Sequence, residues 1–331
     1  MDDIDFLSRN APAAAEPGDE TVARAREALA ARMAVGERPL RRVGVSRRRH
    51  ARLWTGLAAA AVAAAALIVA FALSGGPGEP DSAAAAALHK AAAVALKQPA
   101  PAPLAAGQYM YIKSEGVNLT SAAATNMVSM NARFSFVREV WMGEHSRLRE
   151  TTGKPEFVTQ RDRENWIAAG RPNILQSGTS EDSLGTYRPL VLPTDSAELF
   201  ERLKADAQGQ GTGLYNEMFV LIGDDLRETS ASPAERAALY EVAARIPGVE
   251  LVGSVTDPAG RTGVAVAMTD ATNKMRQTLI FDPQTAQLLA EEQTVVAGNE
   301  FGWPAGTLVG RTTYLVHAVV SSNSAVPVAQ K

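Results

Sequence analysis

The chain of 331 residues contains no cysteine. No disulfide can staple any part of it, no thiol nucleophile is available, no Cys-based zinc site can form, and a lipidated-cysteine anchor is excluded. Histidine is nearly as scarce, with four residues. The three beyond residue 52, His89, His145 and His317, show neither H-x-x-x-H nor H-E-x-x-H spacing, so metal catalysis finds no foothold. There is no G-x-S-x-G turn, no Walker A sequence and no G-x-G-x-x-G. Asp224 and Asp225 adjoin in a helical pattern, where neighbouring side chains diverge by about 100° and cannot form a carboxylate dyad. These absences point away from an enzyme, and to no cofactor and no metal.

What the chain does have is one long uncharged run, Leu53 to Leu73, reading LWTGLAAAAVAAAALIVAFAL. As a helix it would be about 31 Å long, close to the hydrocarbon thickness of a bilayer. Arg38, Arg41, Arg42, Arg47, Arg48, Arg49 and Arg52 precede it, and a Gly/Pro stretch carrying Glu79 and Asp81 follows. That asymmetry predicts one transmembrane helix with a cytoplasmic N-terminus and a large extracellular C-terminal part. A cleaved signal peptide fits less well, because about fifty residues come first and the run exceeds an ordinary h-region. A row of small residues, Gly56, Ala60 and Ala64, could serve as a face for helix association.

The net charge of −3 hides a second asymmetry. Residues 1–52 hold 11 Lys+Arg against 8 Asp+Glu, and the remainder 22 against 28. An acidic outer part argues against nucleic acid as a partner. The arginines before the span suit anionic lipid headgroups.

Residues 1–52 read as a cytoplasmic tail with one short helix, Thr21–Ala34. Val22, Leu29 and Met33 lie on one side of it, a candidate contact for a cytoplasmic regulatory protein. Residues 74–106 read as an Ala/Pro-rich connector with a helix over Ala83–Gln98, its His89 and Lys90 solvated. Residues 107–320 read as one extracytoplasmic α+β domain, and 321–331 as a disordered tail.

Within the domain, alternation predicts strands at Gln108–Ser114, Ser129–Trp141, Arg147–Thr152, Glu156–Thr159 and Trp166–Ala169, then a loop over 170–186. Three helices follow. Asp195 with Glu198 opens the first, Leu214–Arg227 forms the second, and Ser232, Pro233 and Glu235 give N-cap, N1 and N3 of the third. Strands return at Glu250–Val255, Thr262–Met268, Met275–Phe281, Leu288–Val295 and Thr312–Val320. This order predicts a curved antiparallel sheet with an inserted block of helices over one face. An apolar concave face would make a groove for a lipid or another apolar envelope ligand. Its candidate lining is Tyr109, Tyr111, Phe134 and Phe136, with Arg138 as an anchor for an acidic headgroup. His317 reads as a satisfied strand histidine.

The segments Gly107–Ser114, Arg138–Trp141, Leu192–Asp195, Ile246–Val249, Asp257–Arg261 and Leu279–Pro283, together with the acidic start, Arg cluster and single span, resemble a family of uncharacterised actinobacterial single-pass membrane proteins often encoded near extracytoplasmic-function sigma factors. The strand order and Tyr-rich first strand are also distantly similar to LolA/RseB-type domains. The resemblance implies signal transduction across the membrane, with a sigma factor as a conceivable inner partner. The inner tail is shorter than a usual anti-sigma domain and lacks its zinc-binding His/Cys motif.

Overall fold

The computed structural model describes residues 81–123, 129–174, 177–189, 191–227, 231–298 and 303–327. The N-terminal tail with Val22, Leu29 and Met33, and the apolar run 53–73, lie outside the described residues. Among the described residues no helix is long and apolar enough to cross a membrane.

The first described element is α1 (Ser82–Ala95). Alanine favours helix, and Asp81 starts it by accepting from the Ala83 N–H at 2.8 Å. Ala84, Leu88, Ala91, Ala92 and Ala95 form a buried stripe. The stretch expected as a connector therefore contributes a helix to the main core, because small side chains let α1 lie close against a second helix, α5 (Pro233–Ala243). His89 is not simply solvated either: its Nδ1 lies 2.8 Å from Glu241 Oε2 on α5.

Among the described residues ten strands join one sheet, and every pairing is antiparallel. β1 (Tyr109–Ala123) and β2 (Ser129–Met142) form a long hairpin in its middle. β3 (Ser146–Thr152) and β5 (Gly178–Gly185) extend it on one side, and the short β4 (Glu156–Phe157) pairs with β2. On the other side β10 (Leu308–Val320) pairs with β1, followed by β9 (Leu288–Val295), β8 (Met275–Phe281), β7 (Thr262–Asp270) and β6 (Val249–Thr256). Gly116 of β1 faces the Phe136 ring; a Cβ there would stand 2.7 Å from it, which the missing side chain avoids.

Helices cover one face of the β6–β9 half, as the order of strands and helices predicts. Val266, Met268, Leu279, Phe281 and Leu288 point into a shared core with α3 (Ser196–Ala207), α4 (Leu214–Leu226), α5 and α1. Leu199, Leu203, Met218, Ile222, Leu239, Val242 and Ile246 supply the helical side of it. Asp195 caps α3 by accepting from the Ala197 and Glu198 N–H groups, each at 2.9 Å. Ser232, Pro233 and Glu235 open α5 with a full capping box. Glu235 also accepts from the Leu192 N–H at 2.8 Å, tying the preceding loop to the helix start. Tyr240 donates to the Ala286 carbonyl at 2.9 Å, and burial pushes the phenol pKa up.

Two local expectations differ from the structure. Trp166–Ala169 is not a strand; it lies in and just beyond α2 (Gln160–Ala168). The capping box of Thr159 and Asp162 decides this, since buried Asp162 also accepts from the Asn131 N–H and amide at 3.0 and 2.6 Å. Trp166 then packs on Phe157 and donates to the Pro172 carbonyl at 2.8 Å. The polar stretch expected as a loop contains β5, an exposed edge strand held by pairing with β3 rather than by burial.

Candidate functional site

The five residues expected to line one groove fall on two faces of the sheet. Register sets Tyr111 opposite Trp141, and Tyr109 shares that face. Gly116 opposes Phe136 and Ser114 opposes Arg138, which places Phe134, Phe136 and Arg138 on the other face. Arg138 Nη1 lies 3.4 Å from Glu150 Oε2 across the β2–β3 pair. None of the five lines any of the three cavities described below.

The Tyr109/Tyr111 face is already occupied. Trp141 is fully buried there, its ring 5.2 Å from that of Tyr111, with Arg147 and Arg149 each 5.3 Å from its centroid. Its indole N–H donates to the Ala325 carbonyl at 2.7 Å, and Asn323 donates to the His145 carbonyl at 3.1 Å. Residues 321–327, expected as part of a disordered tail, thus lie over this cluster. Glu139 joins it, accepting from Tyr111 at 2.7 Å and from Arg149 at 2.6 and 2.8 Å. Desolvation alone would raise the Glu139 pKa, but these hydrogen bonds outweigh it and hold the carboxyl below its ordinary value.

Three cavities open elsewhere. One, of about 180 Å³, lies by the start of α4 and is lined by Thr212, Glu217, Asp270 and Asn273 among others. Its most conspicuous carboxylate, Asp270, already accepts from the Thr272 and Asn273 backbone, the Asn273 amide and Thr212. The other two, of about 90 and 150 Å³, sit between helices and sheet and share Ala231, Arg236, Gln287 and His317. The larger runs beneath the Gln98–Pro101 segment that joins α1 to β1, against Met110. The smaller is walled by Ile112, Leu226, Leu288 and Val316.

Among the described residues, charge in this cleft has one sign: Arg227, Arg236, Arg261 and His317 line it, and no described Asp or Glu does. Arg227 meets Asp224 at 2.9 Å and Glu291 at 2.7 Å, and Arg261 Nε meets Asp257 at 2.7 Å, so both are neutralised from behind. Arg236 differs. It donates through Nη1 to the Ala231 carbonyl at 2.9 Å, its Nε is buried without a hydrogen bond, and it forms no ion pair with a carboxylate among the described residues. Burial lowers its pKa, yet a guanidinium stays protonated at neutral pH.

His317 stands opposite Ile112 in the β1–β10 register. It is exposed to solvent and lines both chambers of the cleft. Desolvation first, and the Arg236 charge second, hold its pKa below the usual imidazole value. Nothing in the sequence marks Arg236, which directly follows a capping box; only the folded chain brings it to the same cleft as His317.

No family model matches this chain. No curated protein matches it either. Among solved structures, MucB in the MucA/MucB complex of Pseudomonas aeruginosa aligns with 75% of this chain and 59% of its own, at 11% identity and a TM-score of 0.23. A structure of MucB in complex with MucA(peri) aligns over 72% and 56%, at 13% identity and the same TM-score of 0.23. The chain thus spans less than two thirds of the length of the chains it matches. These scores lie below the level that marks a shared fold, and the functional reading rests on the geometry of the cleft alone.

Proposed function

We propose that this chain is a non-enzymatic, single-pass membrane protein whose outer α+β domain binds an anionic ligand of the cell envelope. In this reading residues 53–73 span the bilayer and the tail before them contacts a cytoplasmic regulatory partner through Val22, Leu29 and Met33. The observation that carries the binding role is the cleft shared by Arg236 and His317, lined among the described residues by cations, apolar groups and neutral polar groups such as Gln287, and by no acid. An uncompensated guanidinium in a partly desolvated site costs free energy that a bound anion would recover. The cleft also adjoins the segment leading from α1, and so from the proposed span, which gives binding a short route to the membrane helix.

The test is native mass spectrometry of the full chain taken from its own membranes in mild detergent. The reading expects an anionic adduct on the wild type that is lost in Arg236→Glu. An adduct of equal mass and occupancy in both would place binding elsewhere and overturn it. The carrier reading, with a lipid held in an apolar sheet groove, finds less support, because the cavities are far smaller than a pair of acyl chains requires.

A further inference from the structure

Resting on that reading of the cleft, the geometry points to a ligand class: a small apolar monocarboxylate, its carboxylate between Arg236 and His317 and its body in the chamber under Pro99 and Pro101. Volume sets the size. The two chambers, which share four lining residues, hold about 90 and 150 Å³. A dry apolar cavity of about 150 Å³ takes a benzene-sized molecule, whereas drug-sized ligands need about 300 Å³ or more. The walls set the polarity: Pro99, Pro101 and Met110 on one side, Ile112, Leu288 and Val316 on the other.

Charge sets the head group. Only Arg236 brings a positive charge that no described carboxylate balances, since Asp224, Glu291 and Asp257 already answer Arg227 and Arg261. One carboxylate balances one guanidinium. A phosphate dianion would leave a charge unmatched in a partly desolvated site, which is costly. Arg236 spends one N–H on the Ala231 carbonyl and keeps other donors for charge-assisted bonds, while the His317 ring can donate one more.

The experiment is isothermal titration of the full chain in detergent with four probes: benzoate, its neutral isostere benzamide, inorganic phosphate and palmitate. The expected result is benzoate binding at least about tenfold tighter than benzamide, the scale of a charge-assisted hydrogen bond, with phosphate and palmitate inert. Arg236→Met should weaken benzoate by a similar factor. Arg236→Lys, which keeps the charge without the fork, should retain part of the binding, and circular dichroism checks that each variant is folded. Equal affinity for benzoate and benzamide overturns the inference. So does phosphate binding that Arg236→Met abolishes while benzoate stays inert, though the cleft then stands as the binding site. If all four probes are inert and the native adduct survives Arg236→Glu, the cleft reading falls as well.

Discussion

Replacing Leu88 by Ala tests whether α1 is built into the domain or merely leads to it. Leu88 is 1% exposed and sits in the middle of the α1 stripe, against α5 and the main core. Leu→Ala at a buried site removes the transfer free energy of the deleted carbons and leaves a partly relaxed cavity, together about 3 kcal/mol. For a domain of this size each kcal/mol moves Tm by about 2–4 °C, so the expected fall is about 6–12 °C. The control follows α1 in the chain: Leu96, at its C-cap, is 62% exposed, and Leu96→Ala should change stability by no more than about 0.5 kcal/mol. Thermal unfolding of the full chain in detergent, followed by near-UV circular dichroism, reads both. Equal Tm values for the two variants would refute the packing of α1 and return residues 82–95 to the status of a tether.

Other outcomes follow from the same structure. Glu139→Gln should cost about 1–2 kcal/mol at neutral pH, discounted because Arg149 is partly exposed, with urea unfolding as the measure. The folded pKa of Glu139 is lowered, so its contribution is complete above the unfolded value and disappears as pH falls through the folded one; Glu139→Gln should flatten that acid limb of stability against pH. His317 has a lowered folded pKa too, and being a base it costs stability as pH drops below about 6.5, where the unfolded chain takes the proton first. His317→Gln should remove that loss, and an unchanged slope between wild type and variant would show that the ring is not shielded. Trp141→Phe removes the hydrogen bond to the Ala325 carbonyl; limited proteolysis should then cut residues 321–327 several-fold faster, and an unchanged rate would argue against the tail contact. Because the chain has no native cysteine, single cysteines at Ser8 and Ser322 give a clean topology assay: an impermeant maleimide should label only the second on intact cells.

Local signals in the sequence carried much of the fold. The capping pattern at Ser232–Glu235 and the strand at Thr262–Met268 each depend on neighbours a few residues away, and both appear in the structure. The errors came where a distant partner decided. Trp166 looks like a strand residue until Asp162 caps a helix and reaches Asn131, and the β5 stretch looks like a loop until β3 pairs with it. An alanine run reads as a connector because nothing in it announces that α5 offers a matching surface. The candidate site was harder still. Residue type groups Tyr111 with Arg138, but β1–β2 register puts them on opposite faces, while Arg236 and His317 lie 81 positions apart in sequence and come to one cleft only in the folded chain.

The most direct test of the binding cleft uses the scarcity of histidine. With four imidazoles in the chain, each can be followed through a pH titration by heteronuclear NMR of the full protein in detergent. Before ligand, His317 should titrate below the usual imidazole range. Benzoate, or phosphate if the anion class differs, should raise the His317 pKa by placing a negative charge beside it, and leave His89 and His145 where they were. A His317 pKa that no anion moves would contradict the account of this cleft as the protein's binding site.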